Sequence, residues 1–228
     1  MIRHLLSALL APVCAGLLCA SALAQTAPWP SRPIKMVIPF GAGGGTDVIG
    51  RFLAQKLSEG LGQTVVVETR PGAGGSLGSA EVARAPADGY TILLGSSSTH
   101  GINPGMYAKL PYDPIKGFTP ITKLVDSPYV LLTNPKVPVK NVQEFIALAK
   151  SRPGQFNYSS AGVGSGSQFA AELLKSQAGL DMVHVPYRGV GPAYTDLLAG
   201  QTQAMFPTLF AALPYINTNR VRGLAITG

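Results

Sequence analysis

The sequence predicts an α/β protein with two lobes, each built on a parallel-rich sheet. Short β-branched or apolar runs bounded by Gly and Pro indicate buried strands, and from Ile34 onward they alternate with segments of helical periodicity. This alternation is typical of parallel strands joined by crossover helices. It is interrupted over residues 102–120, where prolines are frequent and periodicity is absent. That stretch is predicted to cross from the first lobe to the second.

The first lobe is predicted to begin with a strand–helix–strand–helix–strand unit. In its longer helix, Val48, Phe52 and Leu57 recur at helical spacing and share one face with Leu53. The predicted strands cover residues 34–39, 64–69 and 91–95, and the predicted helices cover 47–61 and 76–84.

The second lobe repeats this alternation after the proline-rich stretch. Pro192 suits the first turn of its third helix, because proline has no N–H to leave unpaired there. The predicted strands cover 130–133, 156–159, 182–185 and 204–206, and the predicted helices cover 142–150, 168–178, 192–198 and 209–216. A last apolar strand, 223–226, is expected to return to the first lobe. The predicted lobes are therefore 25–126, completed by 220–228, and 127–219.

Residues 1–24 are predicted to be a cleaved signal peptide. Arg3 gives a basic start, residues 5–18 form a short apolar run, and Ala22-Leu23-Ala24 is a small-x-small cleavage pattern. No later window contains about 18 consecutive apolar residues, so an exported, soluble protein of the periplasm is expected. Both cysteines, Cys14 and Cys19, lie in the leader, so the mature chain has neither disulfides nor cysteine ligands for a metal.

The charge of the chain favours small anionic ligands over nucleic acid. The 228 residues carry a formal charge of +7, and removing Arg3 leaves +6 spread as single residues. Nucleic-acid binding usually needs a clustered basic stripe with interleaved aromatics. His100 and His184 have no second ligand at short spacing, so no metal site and no cofactor are expected.

Three glycine-rich segments each follow a predicted strand and precede a predicted helix: "PFGAGGGTD", "RPGAGGSLG" and "SAGVGSGSQ". The first turn of a helix leaves N–H groups unpaired and carries partial positive charge, and glycine lets a ligand approach this backbone closely. Such turns bind carboxylate or phosphate, although glycine there also serves tight turns alone. Further polar candidates at strand ends are Ser96, Ser97 and Thr99 in "GSSSTH" and Tyr187 in "VPYRG".

Motifs for nucleotides and for catalysis match poorly. Gly45 is followed by Thr46-Asp47 instead of the Lys-Ser/Thr of a Walker A loop, and Thr46 stands where the third glycine of a dinucleotide loop belongs. The segment "GGSLG" formally matches a nucleophile elbow with Ser76, followed by Asp181 and His184. An exported serine hydrolase using Ser76 or a serine of 96–98 is therefore the alternative to a binding protein.

Read together, the motifs resemble the Bug-type solute receptors of tripartite tricarboxylate transporters. The resemblance covers nearly all of the mature chain. The motifs that carry it are "IKMVIPFGAGGGTDVIGRFLAQKLSEGLGQTVVVETRPGAGGSLGSAEVARAPADGYTILLGSSSTHGINPGMY", "LPYDPIKGFTPIT", "FNYSSAGVGSGSQFAAELLK" and "DMVHVPYRGVGPAYTDLLAGQ".

The resemblance implies a type II-like periplasmic binding protein, not an enzyme, whose two lobes close on a small organic carboxylate. It also implies a monomer that delivers the solute to membrane permease subunits or to a sensor. Main-chain groups of two loops are expected to hold the carboxylate, with Asp47 as cap and loop organiser. These loops contain Phe40, Gly43, Gly44, Thr46 and Asp47 in the first lobe, and Gly162, Gly164, Ser165 and Gln168 in the second.

The chain departs from this family in two ways. Where the family has Phe-Asp near the distal end of the ligand, this chain has Phe206-Pro207-Thr208, so Pro207 and Thr208 are expected to face a solute without an amino group. The family also continues for roughly a third more length. The C-terminal part of the fold is therefore expected to be missing, and a fragment without retained activity remains a further alternative.

Overall fold

The computed structural model describes residues 28–227, and within them the predicted alternation of strands and helices is confirmed. The predicted signal peptide lies outside the described residues. In the first half, β1 (Ile34–Ile38), α1 (Gly45–Leu61), β2 (Val65–Thr69), α2 (Ser76–Ala83) and β3 (Thr91–Leu93) follow one another. A π-helical turn (Ser98–Ile102) and the short α3 (Asn103–Met106) begin the crossing segment.

The second half contains the remaining elements. They are β4 (Val130–Thr133), α4 (Val142–Lys150), β5 (Phe156–Ser160), α5 (Gly166–Ala178), β6 (Met182–Pro186), α6 (Val190–Ala199), β7 (Ala204–Met205), α7 (Leu209–Asn217) and β8 (Arg222–Ile226). None of the helices in residues 28–227 is both long and apolar enough to cross a membrane.

The strands form two sheets. The first is fully parallel, with the order β2-β1-β3, and the second has the order β6-β5-β7-β4-β8. In the second sheet β5 runs parallel to β6 and β7, whereas β4 runs antiparallel to β7 and β8. The parallel-rich α/β class is thus confirmed. Both sheets belong to one compact unit that begins at Pro33, so the lobe boundaries at 126/127 and 219/220 remain predictions.

The last strand is not where the sequence analysis expected it. The 223–226 run was predicted to complete the first lobe, but β8 pairs with β4 in the second sheet, with Val130 opposite Ile226. Two side chains hold it there. The Arg222 guanidinium donates to the Val137 carbonyl at 3.0 Å, and Thr227 Oγ1 accepts from the Tyr129 N–H at 3.0 Å. An apolar run predicts a strand, but it does not specify which sheet edge the strand joins.

Buried apolar side chains cover both faces of the second sheet. On one face Phe145 packs edge-on against Phe156, with ring centroids 5.9 Å apart, beside Tyr158. On the other, Leu132, Met205 and Leu197 are fully buried. Fully burying side chains of this size contributes about 1.5–3 kcal/mol each. These two cores give rigid support to the loops at the carboxyl ends of β5, β6 and β7.

Candidate functional site

A cavity of about 490 Å³ lies at the carboxyl ends of strands from both sheets. Its walls come from loops that follow β1, β3, β5, β6 and β7, together with the end of the crossing segment at residues 122–129. Carboxyl ends of parallel strands are where open α/β sheets bind ligands, and this volume is typical of a site for a small molecule.

Three helix starts meet at one end of this cavity, which we call the amide end. The glycines of the first loop allow this approach. A Cβ atom on Gly45 would overlap Thr208 Oγ1 at the start of α7, and one on Gly44 would lie 3.1 Å from Val190 Cγ2 at the start of α6. Helix α1 therefore begins directly against the starts of α6 and α7.

Several backbone N–H groups at the amide end are free. Among the described residues, the N–H groups of Gly45 and Thr46 in α1 and of Val190 in α6 have no acceptor and belong to cavity-lining residues, whereas those of Asp47 and Phe210 also have none but lie outside the wall. Each helix start also carries roughly half a positive charge from its aligned peptide dipoles. Because α1, α6 and α7 have 17, 10 and 9 residues, each is long enough to develop this dipole.

Asp47 holds the first loop in shape instead of facing the cavity. Its Oδ2 accepts from the Gly43 N–H at 3.0 Å, and its Oδ1 accepts from Arg51 Nε at 2.9 Å. The residue is only 5% exposed. Both carboxylate oxygens therefore have partners within α1 and its loop, which fits the loop-organising role implied by the resemblance, whereas the N-cap position of α1 is Gly44 and not Asp47.

Three hydroxyl oxygens in the cavity wall are buried without a hydrogen-bond partner in the described part of the chain. They are Ser96 Oγ, Ser127 Oγ and Thr208 Oγ1. Buried polar atoms are nearly always paired in native proteins, so each exception needs an explanation. Their shared position in the wall of one cavity leaves these three hydroxyls available to a bound molecule.

The opposite end of the cavity, which we call the hydroxyl end, is formed by Ser96–Ser98 and the start of α5. The Gly166 N–H donates to Ser98 Oγ at 2.8 Å, and the Tyr129 hydroxyl lies where a Cβ atom on Gly166 would stand. Burial raises the pKa of Tyr129, so its hydroxyl stays protonated. The Tyr129 backbone pairs with Thr208, so this side chain runs from the amide end to the hydroxyl end.

The loop before α5 uses its own side chains to pair its amides. The Gly164 N–H donates to Gln168 Oε1 at 2.9 Å, and Ser165 Oγ accepts from the Gln168 N–H at 3.3 Å as an N-cap. The Gly162 N–H donates to Ser160 Oγ at 3.1 Å. This loop therefore has fewer free donors than its glycine content suggested.

The structure brings about half of the predicted site residues into the cavity wall. Those that line it are Phe40, Gly44, Thr46, Ser96, Ser97, Ser165, Pro207 and Thr208. Those that do not line it are Gly43, Asp47, Thr99, Gly162, Gly164, Gln168 and Tyr187.

Two of the residues outside the wall have structural partners. Thr99 Oγ1 accepts from the Ser96 N–H at 3.0 Å, and the Tyr187 hydroxyl bonds Asp196. Burial, with help from Asp196, raises the pKa of Tyr187 to about 12. Both side chains therefore support the loops behind the cavity.

Sequence reasoning missed part of the wall. The missed residues include Gly45, Ser98, Tyr129, Gly166, Val190 and the 122–127 stretch. Gly45 and Gly166 belong to two of the glycine-rich segments, so the sequence contained a signal for their position at helix starts. Tyr129 and residues 123–127 belong to none of the quoted motifs, and only the path of the crossing segment brings them to the site.

The side chains proposed for a serine hydrolase do not contact one another as a catalytic triad requires. Ser76 Oγ, in a residue 2% exposed, accepts from Asn103 Nδ2 at 3.0 Å. The His184 ring nitrogen Nε2 instead pairs with Ser160 Oγ at 2.6 Å, and Ser160 is fully buried. Residues 28–227 also contain no group of three or more His, Cys, Asp or Glu placed to hold a metal ion.

The chain has a parallel-rich α/β fold with a cavity at the carboxyl ends of strands from two sheets, and comparison with known proteins places it in a family. The family model of the tripartite tricarboxylate transporter family receptor matches residues 49–228. A UPF0065 protein of Bordetella pertussis is 40% identical over 211 residues, which are 92% of this chain and 65% of that protein. The chain therefore belongs to the tripartite tricarboxylate transporter receptor family.

Solved structures agree with this assignment. The R. palustris protein Rpa4515, described with adipate, has a TM-score of 0.85 and 35% identity, covering 87% of this chain and 67% of that one. The periplasmic binding protein BugD has a TM-score of 0.84 and 36% identity, covering 88% and 67%. The chain thus spans about two thirds of the length of the proteins it resembles.

Proposed function

We propose that this protein is a periplasmic receptor that captures a small organic carboxylate in the cavity. It does no chemistry on the solute, but presents it to the membrane permease subunits of a tripartite tricarboxylate transporter or to a sensor. The observation that carries the proposal is the amide end, where free N–H groups of α1 and α6 converge beside buried, unpartnered hydroxyls, including that of Thr208 at the start of α7. The structure of the related Rpa4515 with adipate supports it.

A carboxylate suits the amide end because donors of the required kind are already in place. Hydrogen bonds from backbone N–H groups to an ionised carboxylate are shorter and stronger than neutral ones. Gly45 and Thr46 supply such N–H groups on α1, and Thr208 adds a hydroxyl from α7. The donors need no rearrangement, so little free energy is lost in ordering them when the ligand binds.

Release of the solute requires the two halves of the molecule to separate. Contacts between them close the cavity: the Tyr107 hydroxyl donates to the Val163 carbonyl at 3.1 Å, and Ser98 bonds the Gly166 N–H. We place a hinge near residues 126/127, with the bound ligand favouring the closed arrangement. The receptor acts as a monomer in this scheme.

Calorimetry with hexanoate and hexanamide tests the proposal. Hexanoate should bind and hexanamide should not, since the amide lacks the negative charge that the helix starts favour. Other carboxylates of two to ten carbons extend the test if hexanoate is the wrong length. Equal binding of acid and amide, or no binding of any acid, would overturn the proposed function.

A pair of alanine variants in α1 provides the matched control. Gly45→Ala places a Cβ where Thr208 stands and should separate α1 from α7, weakening acid binding at least about tenfold. Gly60→Ala lies near the other end of the same helix, where a Cβ meets no atom within 4 Å, and should leave binding unchanged. Equal affinities for the two variants would show that the amide end does not hold the ligand.

A further inference from the structure

We infer that the second glycine-rich segment, "RPGAGGSLG", is a closure contact that determines how tightly the solute is held without touching it. The inference rests on the proposed function, because it concerns the separation of the two halves that release requires. The sequence analysis grouped this segment with two others as a candidate turn for binding anions. The other two supply residues to the cavity wall, whereas residues 70–78, which are all described, supply none. The segment therefore has a different role.

The backbone of this segment turns so that it meets the second half of the molecule. Gly72, Ala73, Gly74 and Gly75 are consecutive, and all four have positive φ, with values of 135°, 46°, 60° and 90°. Ala73 is strained in this left-handed conformation, and such strain persists only where surrounding contacts fix it. A Cβ atom on Gly74 would lie 2.9 Å from the carbonyl oxygen of Gly164, in the loop before α5. The two main chains are therefore in contact with no side chain between them.

Two side chains from α3 and its C-terminal end complete the contact. Asn103 is fully buried and donates through Nδ2 to the Gly74 carbonyl at 2.9 Å. The Tyr107 hydroxyl donates to the Val163 carbonyl at 3.1 Å. A Cβ atom on Gly164 would lie 2.9 Å from the Tyr107 hydroxyl and 3.0 Å from Asn103 Oδ1. A side chain on either glycine would therefore push the two halves apart.

The contact lies outside the cavity but supports one of its walls. None of the residues in the contact lines the cavity. The loop that they hold leads directly into α5, whose first residue, Gly166, forms part of the wall and donates its N–H to Ser98 Oγ at 2.8 Å. Opening the contact would move the start of α5 away from the first half. Ligand affinity depends on this position, because binding groups must be held within about 0.5 Å of their productive geometry.

The contact is reversible because closing it leaves one polar atom unpaired. Asn103 Oδ1 is buried and has no hydrogen-bond partner within residues 28–227. Its Nδ2 has two acceptors, the Gly74 carbonyl and Ser76 Oγ, which fix the orientation of the amide. Water reaches Oδ1 when Gly164 moves away, so opening restores the hydrogen bond that closing removes. The unpaired oxygen therefore favours the open arrangement until the solute binds.

A pair of alanine variants of the full chain tests the inference. Gly74 and Gly62 have φ values of +60° and +65°, so alanine strains both positions and should lower the Tm of the ligand-free protein by similar amounts. A Cβ atom on Gly62 meets no atom within 4 Å, whereas one on Gly74 overlaps the other half. In calorimetry with hexanoate, or with the tightest-binding acid of two to ten carbons, Gly74→Ala should bind at least about tenfold more weakly than Gly62→Ala. Equal affinities would overturn the inference and leave the proposed function intact. If the unaltered protein binds no acid, both fail.

Compaction and dissociation rate are readouts that a general loss of stability would not change in the same way. In small-angle X-ray scattering, saturating acid should reduce the radius of gyration of Gly62→Ala, and that of Gly74→Ala by at most about half as much. Tyr107→Phe removes one hydrogen bond of the contact and should speed dissociation of the acid by about two- to fivefold in stopped-flow displacement. Tyr158→Phe, whose hydroxyl bonds Glu172 within the second half, should leave that rate unchanged. Equal compaction of the two glycine variants, or equal rates for the two tyrosine variants, would contradict the closure contact.

Discussion

Replacing Thr208 by valine should make the ligand-free protein more stable and make it bind its solute less well. Thr208 Oγ1 is buried in the cavity wall and has no partner within residues 28–227. An unsatisfied buried hydroxyl costs about 1–3 kcal/mol, and valine has nearly the same shape without the oxygen. We therefore expect a gain of about 1–2 kcal/mol, which for a chain of this size raises Tm by about 2–8 °C.

The same substitution removes a donor from the amide end. A hydrogen bond to a charged group contributes about 1.5–3 kcal/mol, so losing it should weaken carboxylate binding by about 10- to 150-fold. A higher Tm together with weaker binding would identify Thr208 as a ligand-binding residue, because a substitution that only disrupts the fold would lower both Tm and affinity. It would also mean that the protein retains an unfavourable group for the sake of binding.

Thr133 supplies the matched control. Its Oγ1 is also buried without a partner, but it lies on β4 and does not line the cavity. Thr133→Val should raise Tm by a similar amount and leave ligand affinity unchanged. Differential scanning fluorimetry and calorimetry on the two variants measure both quantities. A lower Tm for Thr208→Val, or an affinity equal to that of Thr133→Val, would refute the reasoning.

Three further predictions concern other parts of the molecule. Gly166→Ala should lower the stability of the protein by about 1–3 kcal/mol in chemical denaturation, because its Cβ would overlap the Tyr129 hydroxyl; an unchanged midpoint would contradict this. Pro207→Asp should improve the binding of acidic amino acids relative to plain acids in a displacement assay, since it supplies a partner for an ammonium group, and preference for aspartate by the unaltered protein would contradict the premise. Burial lowers the pKa of both His100 and His184 from 6.5, so the folded state binds protons less readily than the unfolded one. The contribution of these rings to the free energy of unfolding should therefore be fully present above about pH 6.5 and decrease as the pH falls below it. Melting curves from pH 8 to pH 5 should show Tm falling with pH, and a rising Tm would mean that the rings gain protons on folding.

The elements of the fold could be predicted because their signals are local. Strand and helix periodicity marked every strand and every long helix of the described chain to within a few residues. The starts of three helices were nevertheless placed late. The helices α1, α5 and α6 begin at Gly45, Gly166 and Val190, two residues before the predicted starts. Glycine is disfavoured within helices, so Gly45 and Gly166 were excluded, and the preference of proline for the first turn placed the start of α6 at Pro192 instead of Val190.

The arrangement of those elements could not be predicted, because it depends on contacts between distant parts of the chain. Strand β8 carries the apolar pattern of a buried strand, yet Arg222 and Thr227 tie it to the second sheet through partners more than 80 residues away. The contact of Gly45 with Thr208 likewise joins the two halves of the molecule. Periodicity and motif spacing report on residues that are close in the sequence, so they do not predict these long-range pairings.

The glycines of the first loop serve two physical requirements that the sequence does not separate. Gly43 has a φ of +82°, where a side chain is strained, but a Cβ there would meet no atom within 4 Å. Its requirement is the conformation of the turn that lets its N–H reach Asp47. Gly45 has no such backbone requirement, yet it has no room for a Cβ beside Thr208. Gly45 is needed because the start of α1 contacts the start of α7 at this residue. The free amides therefore depend on both glycines at once, one shaping the loop and the other letting α1 reach α7.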